Sequence, residues 1–102
     1  MAAIHIEEKN FHEEVIRSDK PVLVDFFATW CNPCRILGPI IDEIAEERED
    51  VKVCKIDIDK EPALAARYGV VSIPTVLVFD NGDVVNKSVG AQPKAKLLSL
   101  LP

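Results

Sequence analysis

The apolar run from Lys20 to Ala28 is the feature that most constrains the fold of this chain. It has the length of one strand and consists mainly of valine, leucine and phenylalanine. Such runs are typical of strands that are covered on both faces, because a half-exposed strand alternates apolar with polar residues. The run therefore predicts a central strand with helices on both sides of the sheet.

The rest of the chain alternates helical and strand-like patterns around this strand. Helices are expected at residues 7–18, over a long segment after Cys34, at 61–68 and at 94–101. Further strands are expected at 51–58, 75–79 and 83–89, with a short edge strand at 4–6. This order predicts an α/β fold with a central mixed sheet of four to five strands and helices on both faces.

Three local signals refine this plan. Asn81-Gly82 is the residue pair that best tolerates the positive φ angles of a type I′ turn, so the last two strands should form an antiparallel hairpin. Pro39 lies inside the long helix, where it removes a backbone donor, and predicts a kink. Asp42 lies opposite the apolar stripe of this helix, and the acidic run from Glu43 to Asp50 is interpreted as the solvated face.

Length and composition bound the possible functions. The 102 residues are 48% hydrophobic and 28% charged, which predicts one folded domain over residues 1–102. The net charge of −5 and the mixing of its signs argue against nucleic-acid binding. The N-terminus has no basic leader, and no apolar stretch approaches the ~20 residues that span a bilayer. We therefore expect a cytoplasmic protein without membrane contact, in which a close cysteine pair indicates redox chemistry or metal binding.

Cys31 and Cys34 lie between the end of the central strand and the start of the long helix. Two intervening residues allow a disulfide, and a helix N-terminus places unpaired N–H groups and a positive dipole end beside the first sulfur. Cys31 should therefore ionise more readily than a free thiol and attack a disulfide, after which Cys34 attacks Cys31 and releases the reduced client. Pro33 suits the first helical turn, where no backbone hydrogen bond is lost.

The same Cys-x-x-Cys spacing also forms half of a tetrahedral zinc site. The other half is not evident, because His5 and His12 have no paired spacing, and Cys54 lies inside a predicted strand, where it should be a buried apolar residue. The strand-to-helix context of the pair favours redox chemistry and no metal. A zinc site shared between two chains and a non-enzymatic binding module are the alternative interpretations.

The chain resembles the thioredoxin family over nearly its whole length. The motifs that carry this resemblance are Val24-Asp25-Phe26-Phe27-Ala28-Thr29-Trp30-Cys31-Asn32-Pro33-Cys34, Lys55-Ile56-Asp57-Ile58-Asp59, Tyr68-Gly69-Val70, Ile73-Pro74-Thr75, Phe79-Asp80-Asn81-Gly82 and Val89-Gly90-Ala91. The resemblance implies the thioredoxin fold and a monomeric protein-disulfide reductase that acts on diverse disulfide-containing client proteins. It also implies recycling by a thioredoxin reductase, with the Cys31–Cys34 couple as the redox group and no separate cofactor.

The resemblance also assigns residues to the client site. Pro74 corresponds to the family's cis-proline, which packs against the active-site sulfurs, although an X-Pro bond is cis in only about 5–6% of cases. The backbone at Ser72 and Ile73 would pair with an extended client segment. The implied contact surface consists of Trp30, Asn32, Pro33, Val71, Ser72, Ile73, Gly90 and Ala91.

Asp25 is the most informative residue outside the cysteine pair. It lies between Val24 and Phe26 in the strand that is expected to be covered on both faces. Carboxylates are seldom fully buried, and burial should raise its pKa, so that Asp25 is the candidate general base for Cys34. By resemblance, Lys55 is the family's lysine that approaches this aspartate and partly offsets the cost of its burial. A structural ion pair is the alternative role for the two residues.

Two positions depart from the common family pattern. Asn32 stands where the family usually has glycine, and its side chain can hydrogen-bond to nearby backbone or sulfur, which should shift the redox potential of the pair. Phe27 replaces a common tryptophan, which leaves Trp30 as the only indole.

Overall fold

The structure, a computed structural model, describes all residues from 1 to 102. Its strands are β1 (Ile4–His5), β2 (Val22–Phe27), β3 (Lys52–Asp57), β4 (Thr75–Asp80) and β5 (Asp83–Val89). Its helices are α1 (Glu8–Phe11), which continues as a π-helical segment (His12–Ile16), α2 (Asn32–Glu47), α3 (Pro62–Arg67) and α4 (Lys94–Ser99). The element types and their order agree with the sequence pattern.

The five strands form one mixed sheet in the order β1-β3-β2-β4-β5. β3 runs parallel to β1 and β2, whereas β4 runs antiparallel to β2 and to β5. β2 therefore lies at the centre, with a parallel neighbour on one side and an antiparallel neighbour on the other. The predicted mixed α/β sheet with a central second strand is confirmed.

Side chains of β2 alternate between the two faces of the sheet, as the pleat of a strand requires. On the α1–α3 face they join an apolar cluster formed by Ile6, Phe11, Val15, Val22, Val24, Phe26, Cys54, Ile56, Leu64, Leu77 and Phe79. On the α2–α4 face they join a cluster formed by Leu23, Leu37, Ile41, Ile44, Ala45, Val51, Val53, Val76, Val78, Leu97 and Leu100. Because Leu23 belongs to the second cluster, the alternation places Asp25 on the α2 side of the sheet.

The first helix differs from its prediction as a single helix over 7–18. α1 ends at Phe11, and the chain widens into the π-helical segment, which closes with the Arg17 N–H donating to the His12 carbonyl at 2.9 Å. The wider turn keeps Phe11 and Val15, four residues apart, buried in the same cluster. Apolar spacing cannot distinguish this turn from an α-helical one. α2 continues through Pro39, and its expected kink stays a prediction.

The β4–β5 hairpin forms the edge of the sheet. Asn81 and Gly82 have φ angles of 52° and 83°, so the turn has the predicted positive φ values at both central residues. The pairing shifts between Val78, opposite Asn86, and Phe79, opposite Val84. One residue of β5 is therefore unpaired, which makes a β-bulge that the alternation of the sequence did not reveal.

Candidate active site

Cys31 and Cys34 form a disulfide where the chain passes from β2 into α2, with their Cα atoms 5.2 Å apart. Cys31 is the N-cap of α2, and its Sγ accepts a hydrogen bond of 3.2 Å from the Cys34 N–H. Pro33 lies in the first turn, where helices tolerate proline. The first sulfur thus lies at the positive end of a 16-residue helix, beside a backbone donor that can stabilise a thiolate.

The loop before β4 lies against the disulfide. The Ile73 carbonyl oxygen is 3.8 Å from Cys31 Sγ, and Ile73 packs against the small cluster that contains both cysteines. The Ile73–Pro74 peptide bond is cis, as the resemblance implied, and Pro74 is buried. The Gly90 N–H donates to the Pro74 carbonyl at 2.8 Å, so the segment after β5 is tied to the same loop.

Around the disulfide, the residues assigned to client binding are mostly exposed. Trp30 is 64% exposed and Val71 is 95% exposed, although both are large apolar side chains. Asn32, Pro33, Ser72 and Ala91 are also exposed, whereas Ile73 and Gly90 are half-buried. This exposure leaves both side chains free to contact a client, as the assignment requires.

Two polar contacts that sequence analysis missed hold the loop before the disulfide. The Trp30 Nε1–H donates to Asp59 Oδ2 at 2.8 Å, which fixes one edge of the exposed indole. The Arg35 guanidinium donates to the Thr29 carbonyl through Nε at 3.1 Å and through Nη2 at 2.9 Å. Asp59 and Arg35 therefore orient the loop that carries Trp30.

Asp25 is 1% exposed, and its Oδ1 has no hydrogen-bond partner. Burial is the main reason why the pKa of Asp25 is raised to about 7, because a charged carboxylate is poorly solvated there. The charge of Lys55 opposes this rise in pKa, and the charge of Asp42 adds to it. The structure thus agrees with the expected burial and with the expected direction of the pKa change.

Lys55 occupies the β3 position beside Asp25, as the pairing of the two strands shows. Its ammonium Nζ nevertheless forms its ion pair with Asp42 Oδ1, at 2.8 Å, and forms none with Asp25. Lys55 therefore acts on Asp25 through its charge at a distance, and its direct partner is a residue of α2. Asp42, which helical periodicity placed on the polar side of α2, has a side chain that is 58% exposed and still forms this contact.

An open depression of about 290 Å³ connects Cys34 with this lysine. Cys34 and Lys55 both line it, and Gly38 borders it from α2. A Cβ atom at residue 38 would lie 3.9 Å from Lys55 Nζ, so the glycine leaves free space beside the ammonium. The depression opens to solvent.

The third cysteine lies apart from this site. Cys54 is fully buried in the α1–α3 cluster, and burial raises the pKa of its thiol to about 12. No three His, Cys, Asp or Glu side chains are grouped as ligands for a metal ion. No helix combines the length and the apolar character needed to cross a membrane.

The chemistry open to this site follows from its disulfide. Two electrons and two protons convert the disulfide to two thiols, and the reverse reaction returns them to a partner disulfide. The cap of α2 stabilises the thiolate that this exchange requires. The protein is a thiol-disulfide oxidoreductase.

Comparison with known proteins places the chain within this class. The family model described as Thioredoxin matches residues 2–102. A thioredoxin of Griffithsia pacifica is 50% identical over 102 residues, which cover 99% of this chain and 94% of the relative. A thioredoxin of Rickettsia bellii is 50% identical over 97 residues, which cover 94% and 92% of the two chains. The chain belongs to the thioredoxin family.

Proposed function

We propose that this protein is a general reductant of protein disulfides. The Cys31 thiolate attacks one sulfur of a client disulfide, which forms a mixed disulfide and releases the first client thiolate. Cys34 then attacks Cys31 Sγ, which forms the Cys31–Cys34 disulfide and releases the second client thiolate. Two electrons pass to the client, and the disulfide of the structure is the oxidised product of this cycle.

The position of the two sulfurs supports this division of roles. Cys31 caps α2 and accepts the N–H of Cys34, so negative charge is best stabilised on its sulfur. Cys34 lies within the first turn and borders the depression that Lys55 also lines. The cap of α2 is the single observation that carries the proposal, because it favours Cys31 as the attacking sulfur.

Asp25 is proposed as the group that takes the proton of Cys34 as this thiol attacks the mixed disulfide. A base is most effective when its pKa is close to the working pH, and the pKa of Asp25 is about 7. The proton then leaves through the depression beside Lys55 to solvent or to the departing client thiolate. Lys55 moderates the pKa of Asp25 through its positive charge.

The client is proposed to bind as an extended segment across the exposed surface around the disulfide. The backbone of Ser72 and Ile73 precedes β4 and lies beside Cys31, so it can pair with a client strand. Pro74 shapes this backbone, and the apolar contacts come from Trp30 and Val71. Asn32, Pro33, Gly90 and Ala91 complete the surface. Recognition of backbone and apolar surface accepts many client sequences.

We further propose that the protein works as a single-domain monomer in the cytoplasm. A thioredoxin reductase returns two electrons to its disulfide after each cycle, as the family membership implies. The redox couple is then the Cys31–Cys34 pair itself, without a metal or a separate cofactor.

The test is reduction of a model protein disulfide, with a chemical dithiol as electron source, by the wild type and by three cysteine variants. Cys31→Ser should lose turnover and form no client adduct. Cys34→Ser should also lose turnover but accumulate a mixed disulfide, since it keeps the nucleophile and lacks the resolving thiol. Cys54→Ala is the matched control and should turn over normally. Normal activity of Cys31→Ser would refute the mechanism.

A further inference from the structure

Lys55 lies between two carboxylates but pairs with only one of them. Its Nζ is 2.8 Å from Asp42 Oδ1, and its side chain is only 14% exposed, which restricts the positions open to the ammonium. Asp25 is its neighbour in the adjacent strand, yet Asp25 Oδ1 has no partner. The ammonium is therefore held towards α2 and away from a direct contact with the buried carboxyl.

No other charged group near Lys55 forms an ion pair with its ammonium. The polar groove of about 430 Å³ on its other side is lined by His5, Glu7, Asp57, Lys60 and Glu61. None of these side chains forms an ion pair with Lys55. β4 presents the apolar Val76 beside Asp25, and the two cysteines carry no charge while they form the disulfide. Asp42 is thus the only anion that holds the lysine.

We propose that Asp42 is a positioning residue for the redox reaction: it binds the Lys55 ammonium and so keeps the carboxyl of Asp25 without a direct ionic partner. This inference rests on the proposed role of Asp25 as proton acceptor. A carboxyl that pairs directly with an ammonium ionises at lower pH and is then a weaker base. With Asp42 in place, Asp25 can exchange its proton near neutral pH with Cys34.

The inference predicts what happens when Asp42 is changed to asparagine. The freed ammonium of Lys55 should turn towards Asp25, because this carboxyl lies beside it in the adjacent strand and has an oxygen without a partner. A cation close to a carboxylate lowers its pKa by about 1–3 units, so the titration midpoint of Asp25 should fall by about one pH unit or more. The pH at which the mixed disulfide resolves at half its maximal rate should fall in parallel.

The measurement is the carbon-13 NMR titration of the Asp25 carboxyl in the oxidised protein, where the cysteine pair does not titrate. Wild type, Asp42→Asn, Lys55→Met and the double variant form a double-mutant cycle. In the Lys55→Met background, Asp42→Asn should shift the Asp25 midpoint by less than half of the shift that it causes in the wild-type background. Glu46→Gln is the matched control, because it removes an exposed carboxylate from the same helix and should leave the midpoint unchanged.

Two results of this cycle would overturn the inference. An unchanged Asp25 midpoint in Asp42→Asn would show that Asp42 does not position the lysine. Equal shifts with and without Lys55 would show that Asp42 acts only through its own charge. Asp25→Asn tests the proposed function separately. If the rate of mixed-disulfide resolution keeps its dependence on pH in this variant, Asp25 is not the proton acceptor. The inference about Asp42 is then also refuted, whatever the NMR titration shows.

Discussion

The two faces of the sheet are equally well buried but chemically unlike. β2 and β3 lie side by side, and each sends alternate side chains to opposite faces. On the α1–α3 face, Cys54 lies among aliphatic and aromatic side chains, and the charges of Lys52 and Glu14, which lie outside this cluster, act on it in opposite directions. On the α2 face, Asp25 lies beside the charge of Lys55, at the side of the sheet that α2 covers.

Burial raises the pKa of a titratable group on both faces, with different consequences at neutral pH. The pKa of Cys54 is raised to about 12, so its thiol stays protonated at any physiological pH. The pKa of Asp25 is raised by a similar amount, to about 7, because a carboxyl starts from a much lower ordinary pKa than a thiol. A similar rise in pKa therefore keeps a thiol protonated at neutral pH but brings a carboxyl into the range where it can exchange a proton.

The largest expected contrast is between the reactivities of the cysteines. In the reduced protein at pH 7, a thiol with a pKa of about 12 is ionised about 1000-fold less than an ordinary thiol. Cys31, at the cap of α2, should therefore react with iodoacetamide at least ~1000-fold faster than Cys54. Mass spectrometry of timed samples measures both rates, and the same reaction in urea is the control. Similar rates in the folded protein would contradict the contrast between the faces.

Replacing Asp25 tests the α2 face through the pH dependence of the free energy of unfolding. The pKa of Asp25 is above its unfolded value of about 4, so the stability associated with the protonated form is complete below pH 4 and is lost as the pH rises towards 7. Asp25→Asn has no such loss. Its free energy of unfolding, relative to wild type, should therefore rise between about pH 4 and pH 7, by on the order of 4 kcal/mol, and stay constant above.

Urea unfolding of the oxidised protein at pH 4, 6 and 8 provides this measurement. Asp19→Asn, which removes an exposed carboxylate, is the matched control for the lost charge. A difference between wild type and Asp25→Asn that does not change with pH would mean that burial does not destabilise the charged form of Asp25.

Cys54→Ala examines the apolar face without touching the redox site. The side chain is fully buried, so its removal leaves a small cavity among well-packed neighbours. We expect a loss of about 1–2 kcal/mol in the free energy of unfolding, with the rate of disulfide reduction unchanged. Thermal unfolding and the reduction assay check the two parts. A fall in activity at unchanged stability would assign Cys54 a role that its surroundings do not explain.

Much of this architecture was predictable because it depends on patterns among residues that are close in sequence. The central strand at 20–28, the Asn81-Gly82 turn and the position of Cys31 at a helix start each depend on residues that are adjacent in sequence. The cis bond before Pro74 depended on resemblance instead, because local sequence favours trans.

The features that sequence analysis missed depend on how distant elements pack. Trp30 and Asp59 are 29 residues apart, and their hydrogen bond exists because β2 and β3 end side by side. Asp42 pairs with Lys55 because α2 crosses the sheet above β3, a geometry that helical periodicity does not specify. Periodicity placed Asp42 on the polar side of the helix, but it could not tell that a buried lysine lies within reach.

The smallest expected effect concerns the free space on the α2 face. Gly38 lies inside a helix, and a Cβ atom there would meet only Lys55 Nζ, at 3.9 Å, which is ordinary contact. Gly38→Ala should therefore stabilise the helix, since glycine in a helix costs about 0.5–1 kcal/mol relative to alanine. Pro39 disfavours helical backbone at a preceding residue with a Cβ atom, so we expect the lower end, about 0.5 kcal/mol.

Gly82 lies against the π-helical segment on the α1–α3 side, and Gly82→Ala is the control for this prediction. Its φ of +83° strains an alanine, and a Cβ atom would lie 3.1 Å from the Ile16 carbonyl oxygen, so stability should fall. Urea unfolding at one pH compares the two variants directly. Loss of stability in Gly38→Ala would show that the space beside Lys55 is already filled, and the α2 face would then be as tightly packed as the face that holds Cys54.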